Sequence, residues 1–282
     1  MSDKKVLLVT GASKGIGLEI VLRGLEEGYQ VIGTSRDAEK LQDAVAKTHP
    51  DSLEAFTGLT MNFDQASIQA TVVSVIERFG RIDVLVNNAG FAVLGALEEF
   101  SLEEIKANFD VNVFGLFAVM QAVLPQMRAQ KSGHIINLAS ISGTVTGPSQ
   151  SIYSATKASV IMMSEALADE VAPFNIQVTA ICPGGVRTDF LDSSSMRRPE
   201  KHIADYEMVN KTMAGLNRLN HNQSGDPKLI AKAILAVAAM DQAPHRLYLN
   251  SGAIKGLQDK MEAVAAETNQ FMDLSLSTDG QA

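Results

Sequence analysis

A glycine-rich turn between an apolar strand and a helix is the feature that most narrowly limits what this chain of 282 residues can fold into. Residues 5–10 form a continuous apolar run, which predicts a strand covered on both faces. Gly11, Gly15 and Gly17 follow in a short turn, and residues 18–27 have a helical pattern. Such glycines permit a tight turn and a close backbone approach, and the helix N-terminus supplies amide donors. The segment predicts a phosphate cradle for a dinucleotide, with a plain turn as the alternative.

Two cationic residues bear on which dinucleotide this cradle would take. A second predicted strand, residues 30–34, ends at Ser35, Arg36 and Asp37. At this place an acidic side chain accepts from a ribose 2′-hydroxyl, whereas a basic one pairs with a 2′-phosphate. Lys14 and Arg36 therefore favour NADP(H), and Asp37 leaves NAD(H) as the weaker alternative. The plainer interpretation is two solvated charges, with Asp37 capping the next helix.

Strands and helices alternate along the rest of the chain. Further strands are predicted at residues 53–63, 82–87, 133–139, 175–181 and 246–249, and further helices at 38–48, 65–79, 101–128, 150–171 and from 226. This alternation predicts a single α/β domain over residues 1–282, a Rossmann-type doubly wound parallel sheet with helices on both faces. Residues 191–225 lose this periodicity and are predicted to form a substrate lid. Residues 251–282 are predicted to be a C-terminal extension with an amphipathic helix at 254–271.

A serine, a tyrosine and a lysine after the fifth strand stand at spacings that suit proton transfer. Ser140 comes at the carboxyl tip of a buried strand, where open α/β sheets bind ligands. Tyr153 and Lys157 lie four residues apart on one helix face. Because an ammonium about 4 Å away lowers a phenol pKa by roughly three units, we expect the Tyr153 pKa near neutrality. The same residues also fit a core tyrosine, a surface lysine and a turn-forming serine.

Three asparagines stand at positions where a polar amide requires a hydrogen-bond partner or a functional role. Asn87 and Asn88 end the fourth strand, where amides lock loops or contact a cofactor. Asn112 lies in a nearly all-apolar helix and must find partners, so it is a structural bond or part of the site. The apolar character of residues 110–128 predicts burial against the sheet and a second surface, for which a partner subunit is one candidate.

Composition and charge exclude several classes of function. The net charge of -8 argues against a nucleic-acid surface. We find no run of about 18 apolar residues and no signal peptide, and we therefore expect no membrane contact and a cytoplasmic location. The single cysteine, Cys182, cannot form an internal disulfide, and the five scattered histidines predict no metal site.

The motifs together resemble those of the classical short-chain dehydrogenases/reductases. They are Thr10-Gly-x-x-x-Gly-Ile-Gly17, Asn87-Asn-Ala-Gly90, Asn112, Ser140, Tyr153-x-x-x-Lys157 and Pro183-Gly-x-Val-x-Thr188. The resemblance covers about residues 5–250, and the tail further resembles a 17β-hydroxysteroid-dehydrogenase-like group. The family implies a homodimer or homotetramer, with helices 110–128 and 150–171 as the dimer-forming pair.

The resemblance also implies roles for individual residues. Ser140 would bind the carbonyl oxygen, and Tyr153 would transfer the proton. Lys157 would hold the ribose and lower the tyrosine pKa, and Asn112 would anchor a water. The implied cofactor contacts are Gly11, Ser13, Lys14, Gly15, Ile16, Gly17, Arg36, Asn62, Asn88, Ala89, Gly90, Tyr153, Lys157, Pro183, Gly184, Val186 and Thr188. Asn62 stands where family members often carry an aspartate that meets the adenine, so we expect this contact in altered form.

The expected activity is that of an NADP(H)-dependent oxidoreductase that interconverts an apolar ketone or aldehyde and its alcohol. The expected pocket is mostly apolar, with no cation cluster, and its candidate substrate contacts are Phe91, Val93, Leu94, Val145, Pro148, Val186, Phe190 and Met196. The alternative is a redox sensor whose NADP occupancy regulates a partner without turnover. A purely structural α/β scaffold, the third hypothesis, predicts no dinucleotide binding.

Overall fold

Strands and helices alternate along residues 4–280, the part of the chain that the computed structural model describes. Residues 1–3 and 281–282, the ends of the predicted domain and tail, lie outside it. The strands are β1 (Val6–Val9), β2 (Gln30–Ser35), β3 (Phe56–Thr60), β4 (Val84–Asn87), β5 (Ala92–Val93), β6 (Gly133–Leu138), β7 (Ile176–Pro183), β8 (Met196–Arg197) and β9 (Arg246–Leu249). The helices are α1 (Gly15–Glu26), α2 (Ala38–Thr48), α3 (Gln65–Phe79), α4 (Leu102–Phe109), α5 (Leu116–Gln130), α6 (Ser151–Val171), α7 (Glu207–Leu219), α8 (Pro227–Ala238), α9 (Ser251–Gln270) and α10 (Met272–Leu276).

Seven of the strands form one parallel sheet in the order β3-β2-β1-β4-β6-β7-β9. One apolar core lies between the sheet and α3, α5 and α6, and a second lies between the sheet and α1, α2 and α8. The strand order reverses between β1 and β4, which is the switch point at which doubly wound sheets bind ligands. The predicted Rossmann-type fold is confirmed.

Several helices start at side-chain caps that the sequence carries. The Asp37 carboxylate accepts the Lys40 N–H at 3.0 Å at the start of α2. Ser101 and Glu104 form a capping box on α4. By contrast, α1 has no side-chain cap and no acidic residue in its first turn. Its first amides are therefore free to meet an anion.

Two predicted elements differ in the structure. The strand expected at residues 53–63 is shortened to β3, because Pro50 begins a 3₁₀ turn, Pro50–Ala55, before it. The helix expected at residues 101–128 is interrupted by a π-helical segment, Asp110–Gly115, between α4 and α5. A side chain at Gly115 would overlap the Phe63 ring, so the two segments pack at close range there.

The continuous helical segment Leu102–Gln130 is long and apolar enough to span a membrane by length and composition alone. One such helix is weak evidence for a membrane span, because a buried core helix passes the same test, and the expectation of no membrane contact stays a prediction. In the fold the apolar side chains of this segment serve the core, since Val119, Val123 and Met127 are fully buried against the sheet. The cytoplasmic location stays a prediction.

Candidate active site

A cavity of ≈ 580 Å³ opens at the carboxyl ends of β2, β4, β6 and β7. The glycine turn lines one side, and residues 188–197 and α7 line the other. Its lining includes all but one of the predicted cofactor contacts, namely Gly11, Ser13, Lys14, Gly15, Ile16, Arg36, Asn62, Asn88, Ala89, Gly90, Tyr153, Lys157, Pro183, Gly184, Val186 and Thr188. The motifs that the sequence scatters over 180 residues thus meet around one space.

The exception is Gly17, which lies below the turn. A Cβ at Gly17 would overlap the Asn88 amide and the Gly11 carbonyl. Gly17 therefore lets the turn close on Asn88, and its contact with the cofactor stays a prediction. Gly11 and Gly15 have φ of 64° and 57°, in the left-handed region that favours glycine.

Asn88 locks the glycine turn to the end of β4. Its amide donates to the carbonyls of Thr10 and Gly11 at 3.0 and 2.9 Å. The Thr10 hydroxyl accepts the backbone N–H groups of Asn88 and Ala89 at 3.1 and 3.2 Å. The neighbouring Asn87 points into the core instead, where its amide donates to Asn137 at 2.9 Å. Asn88 therefore locks the loop from the edge of the cavity, and Asn87 stabilises the sheet.

The charged side chains near the end of β2 differ in position: Lys14 and Arg36 line the cavity, whereas Asp37 caps a helix. Asp37 lies at the start of α2, where its carboxylate is used as the cap. Arg36 is exposed and lines the cavity. Lys14 also lines the cavity and donates to the Ser194 hydroxyl at 2.5 Å, which ties the turn to the region predicted as a lid. The cation at this corner faces the cavity while the carboxylate is occupied.

Ser140, Tyr153 and Lys157 meet at the carboxyl end of β6. The Ser140 hydroxyl hydrogen-bonds with Tyr153. The Lys157 ammonium is buried and donates to the Leu138 carbonyl at 2.6 Å. Burial raises the pKa of Tyr153 well above its ordinary value, and the bond with Ser140 offsets only part of that rise. Burial also lowers the pKa of Lys157 to about 8.

The expectation of a Tyr153 pKa near neutrality is wrong for this structure. Lys157 Nζ lies 5.9 Å from the centroid of the tyrosine ring and bonds to a backbone carbonyl rather than to the phenol. Burial penalises the phenolate, and the hydrogen bond with Ser140 offsets only part of that penalty. Tyr153 is therefore protonated at neutral pH, which suits a proton donor.

Asn112 lies in the π-helical segment and is buried and fully bonded. Its amide donates to the Phe91 carbonyl at 2.9 Å and to the Thr156 hydroxyl at 3.1 Å. Its oxygen accepts the Phe91 N–H at 3.0 Å. Asn108 donates to the same Phe91 carbonyl at 2.9 Å. Asn112 is thus a structural bond that fixes Phe91, and its role as a water anchor stays a prediction.

The model of the family "short chain dehydrogenase" matches residues 5–199, more than half of the chain. The chain belongs to the short-chain dehydrogenase family. It is 34% identical over 274 residues to Oxidoreductase BOA17 of Botryotinia fuckeliana, which covers 97% of this chain and 99% of the relative. A short-chain dehydrogenase from Streptomyces avermitilis has 38% identity and a TM-score of 0.88, over 98% of this chain and 100% of that one. ElxO with NADP bound has 27% identity and a TM-score of 0.75, over 89% and 99%.

In this short-chain dehydrogenase an apolar cluster surrounds the tyrosine on the side away from the glycine turn. Ala92, Leu94 and Met196 are buried with Tyr153, and the Phe190 ring lies 5.8 Å from the tyrosine ring. The predicted substrate contacts that line the cavity are Phe91, Leu94, Val186, Phe190 and Met196. The likeness to the 17β-hydroxysteroid-dehydrogenase-like group stays a prediction.

Val93, Val145 and Pro148, also expected as substrate contacts, lie outside the cavity lining. Val93 is 1% exposed, because side chains alternate along β5 and it points away from Leu94's side of the strand. Val145 faces Gly256 in α9 instead. The difference at Val145 follows from a contact with a segment distant in sequence.

Arg197 is a cavity residue that the sequence reasoning missed. Strand β8 pairs in parallel with β5, through bonds from Ala92 N–H to Ser195 O at 2.9 Å and from Leu94 N–H to Arg197 O at 3.1 Å. This pairing sets Met196 against Tyr153 and places the Arg197 guanidinium 4.5 Å over the Phe91 ring. A two-residue strand has no periodicity that could have revealed it.

One candidate metal group was also missed, since Asp189, Asp192 and His221 bring ligand atoms within 4.8 Å of one another. Asp192 already accepts from Asn220 and pairs with His221. Exposed acidic groups of this kind are common without a metal, so no metal function follows.

Proposed function

We propose that this short-chain dehydrogenase transfers hydride between NADP(H) and a ketone or aldehyde with an apolar chain, and catalyses the reverse oxidation of the alcohol. The observation that supports this most is the hydrogen-bonded Ser140 and Tyr153 pair, placed between the glycine turn and the apolar cluster in one cavity. A proton donor and a dinucleotide cradle that share a cavity suit carbonyl reduction.

The residues present fit an NADP dinucleotide. The uncapped amides of α1 suit a pyrophosphate, and the positive φ of Gly11 and Gly15 forms the tight turn, in which a side chain at Gly11 would overlap Ala89. The exposed Arg36 suits a 2′-phosphate, while Asp37 is occupied by its cap. The similarity to ElxO with NADP bound points the same way. NAD(H) is the weaker alternative, and Asn62 is proposed to contact the adenine.

Each residue of the catalytic group has a proposed task. A bound nicotinamide supplies or accepts the hydride. Ser140 holds the substrate oxygen, and the protonated Tyr153 donates its proton to that oxygen as the carbonyl is reduced. Lys157, whose pKa lies about 8, provides a nearby positive charge that stabilises the phenolate left behind.

The two long helices carry exposed apolar side chains, which supports the proposal of a homodimer, with a homotetramer as the alternative. Phe114 is 58% exposed beside α5, and Met162 is 63% exposed on α6. Large exposed apolar side chains on neighbouring helices are typical of subunit interfaces.

Residues 191–225 are proposed to form a substrate lid, which the hydrogen bond between Lys14 and Ser194 connects to the cofactor side of the cavity.

The test is the loss of NADPH absorbance with a panel of apolar ketones, aldehydes and steroids. Tyr153→Phe should lose about a thousandfold in turnover, because it cannot donate the proton, while NADPH binding persists. Tyr206→Phe is the matched control, since this exposed tyrosine bonds Glu98 outside the cavity. Full turnover by Tyr153→Phe would contradict the mechanism. If the parent reduces no compound of the panel but still binds NADPH, this result would favour the redox-sensor hypothesis.

A further inference from the structure

Arg197 holds a fixed position that the hydride-transfer chemistry does not use. Its guanidinium stacks on Phe91 at 4.5 Å, within the range of an attractive cation–π contact. The Phe91 backbone is in turn held by three bonds from Asn108 and Asn112. The arginine backbone is clipped to Leu94 through the β5–β8 pair. The cation therefore stands on a rigid aromatic platform at the cavity wall.

This guanidinium is not neutralised by a protein carboxylate. Arg187 and Arg246 pair with Asp226 and Glu165, but no ion pair involves Arg197 in the part of the chain that the structure describes. The remaining cations around the cavity have other tasks, since Lys14 bonds Ser194 and Lys157 is buried against Leu138. Arg36 lies at the end of β2, on the cofactor side. Among the described residues, Asp189 is the acidic side chain that lines the cavity. Its carboxylate lies close to Asp192 and His221, and it forms no ion pair with Arg197.

We propose that the substrate carries a carboxylate at the end of its apolar chain remote from the reacting carbonyl, and that Arg197 binds it. The inference rests on the proposed function. Phe190, Met196, Leu216 and Leu219 line the space between Tyr153 and the cavity wall, so they take the apolar part of the chain. Arginine binds carboxylates with two parallel hydrogen bonds, which gives the substrate one orientation.

The test compares two compounds with the parent enzyme and NADPH: a medium-chain keto acid with its ketone on the penultimate carbon, and the methyl ester of that acid. The parent should prefer the acid about tenfold or more in kcat/KM, and added salt should reduce the preference. Arg197→Gln should abolish the preference through KM while kcat changes less than about twofold. Arg198→Gln is the control, because this neighbour bonds Asn217 and lies outside the cavity lining.

Equal turnover of acid and ester by the parent would overturn the carboxylate inference and leave the proposed function intact. An unchanged preference in Arg197→Gln would overturn the role of this residue. No turnover of either compound, when the parent reduces no other carbonyl, would overturn the proposed function and the inference together.

A second and independent observation concerns α9, which carries a repeat suited to helix pairing. Its seam recurs at alternating steps of three and four residues through Ile254, Leu257, Met261, Val264 and Thr268, all apolar except Thr268, and Phe271 continues the spacing as the C-cap residue of the helix. The first turn is anchored by the buried Ala253, but every residue from 258 to 270 is exposed. Met261 is 64% exposed and Phe271 is 50% exposed. A cavity of ≈ 350 Å³ separates Met261 and Val264 from Thr144 of the same chain, so the middle of the seam is not packed against the rest of the chain. A helical stretch this short is marginal in water unless its apolar face is covered.

We infer that α9 pairs in antiparallel orientation with α9 of a second copy of this chain. In that orientation the layers are self-complementary, since Ile254 meets Phe271, Leu257 meets Thr268 and Met261 meets Val264, as a two-fold interface requires. The flanking Lys260 and Glu267 then face each other twice. In parallel orientation Lys260 faces Ala265 and forms no such pair, so charge complementarity selects the antiparallel arrangement.

Light scattering on the full chain at micromolar concentration tests the pairing. Met261→Glu/Val264→Glu should halve the mass, whereas Ala266→Glu, on the opposite face, should leave it unchanged. Lys260→Glu should weaken the assembly, and Lys260→Glu/Glu267→Lys should restore it. An identical mass for the parent and the Met261→Glu/Val264→Glu variant would overturn the inference.

Disulfide formation tests the orientation. A mixture of Ile254→Cys and Phe271→Cys chains should cross-link, because these positions meet in one layer. Neither chain should cross-link alone, because each position then lies about 25 Å along the axis from its own copy. A disulfide between two Ile254→Cys chains would overturn the antiparallel register.

Discussion

The cavity has two halves that the chain builds in different ways. The cofactor half, residues 10–17, 34–36 and 87–90, is built on a backbone turn. The Thr10 hydroxyl and the Asn88 side-chain amide lock this turn through four hydrogen bonds to backbone groups of Thr10, Gly11, Asn88 and Ala89. The substrate half, residues 91–94, 190–197 and 213–219, is made of side chains that a two-residue strand pair holds in place. A site made of backbone tolerates little change, whereas a site made of side chains can be retuned by substitution.

The largest expected effect on cofactor binding comes from a substitution in the cofactor half. In Gly17→Ala the added methyl overlaps the Asn88 amide and the Gly11 carbonyl, neither of which can move without breaking the lock. We expect NADPH affinity to fall about a hundredfold or more and stability to fall by about 1–3 kcal/mol, as overpacking does. Fluorescence titration of NADPH and thermal unfolding measure the two effects. Gly147→Ala is the control, since its Cβ would meet no atom within 4 Å. Unchanged NADPH affinity in Gly17→Ala would mean that the lock is dispensable.

Lys157 lies where the two halves meet. Substituting it tests whether a residue that serves the site lowers the stability of the fold. Burial lowers its pKa to about 8, so the unfolded chain binds this proton more tightly than the folded chain between about pH 8 and 10.5. Burial of the charged Lys157 therefore lowers the free energy of unfolding by its full amount below pH 8. This loss disappears as the pH rises toward 10.5. Lys157→Met removes the ammonium, and we expect the melting temperature at pH 7 to rise by about 2–6 °C while turnover falls about a hundredfold.

The pH dependence separates this cause from general repacking. The difference in melting temperature between Lys157→Met and the parent should shrink between pH 8 and 10, because the parent lysine loses its charge in that range. Lys211→Met, at an exposed lysine that pairs with Glu207, should show no such trend. A difference that stays constant across this range would show that desolvation of Lys157 is not the cause.

The two halves also differ in how far sequence could predict them. Gly11, Arg36 and Asn88 were found because each follows a strand, and parallel strands bring their carboxyl ends to one edge, whereas Thr188 was implied only by the family resemblance. Arg197 was missed and Val93 misplaced because the β5–β8 pair joins segments about a hundred residues apart and has no pattern of its own. The raised pKa of Tyr153 was missed for a related reason, since its burial is set by Ala92, Leu94 and Met196, which the β5–β8 pair brings together, and not by the spacing from Lys157.

The smallest expected effect concerns α7, in the substrate half. It tests whether this half opens locally without unfolding of the cofactor half. Gly215 lies in the middle of α7, and a Cβ there would meet no atom within 4 Å. Gly215→Ala should therefore stabilise this helix by about 1 kcal/mol through helix propensity alone. Because α7 has no buried residue, we expect the gain to appear in local opening and not in global unfolding.

Hydrogen exchange and thermal unfolding distinguish these outcomes. Amides of α7 in Gly215→Ala should exchange about fivefold more slowly while the melting temperature moves by less than about 1 °C. Ala214→Gly, the reverse change at the exposed neighbouring position, should accelerate the same amides by a similar factor. If both substitutions instead shift the melting temperature and leave α7 exchange unchanged relative to the sheet, the substrate half unfolds together with the cofactor half. In that case the two halves differ in how they are built but not in how they move, and substrate would have to enter by a route other than local opening of α7.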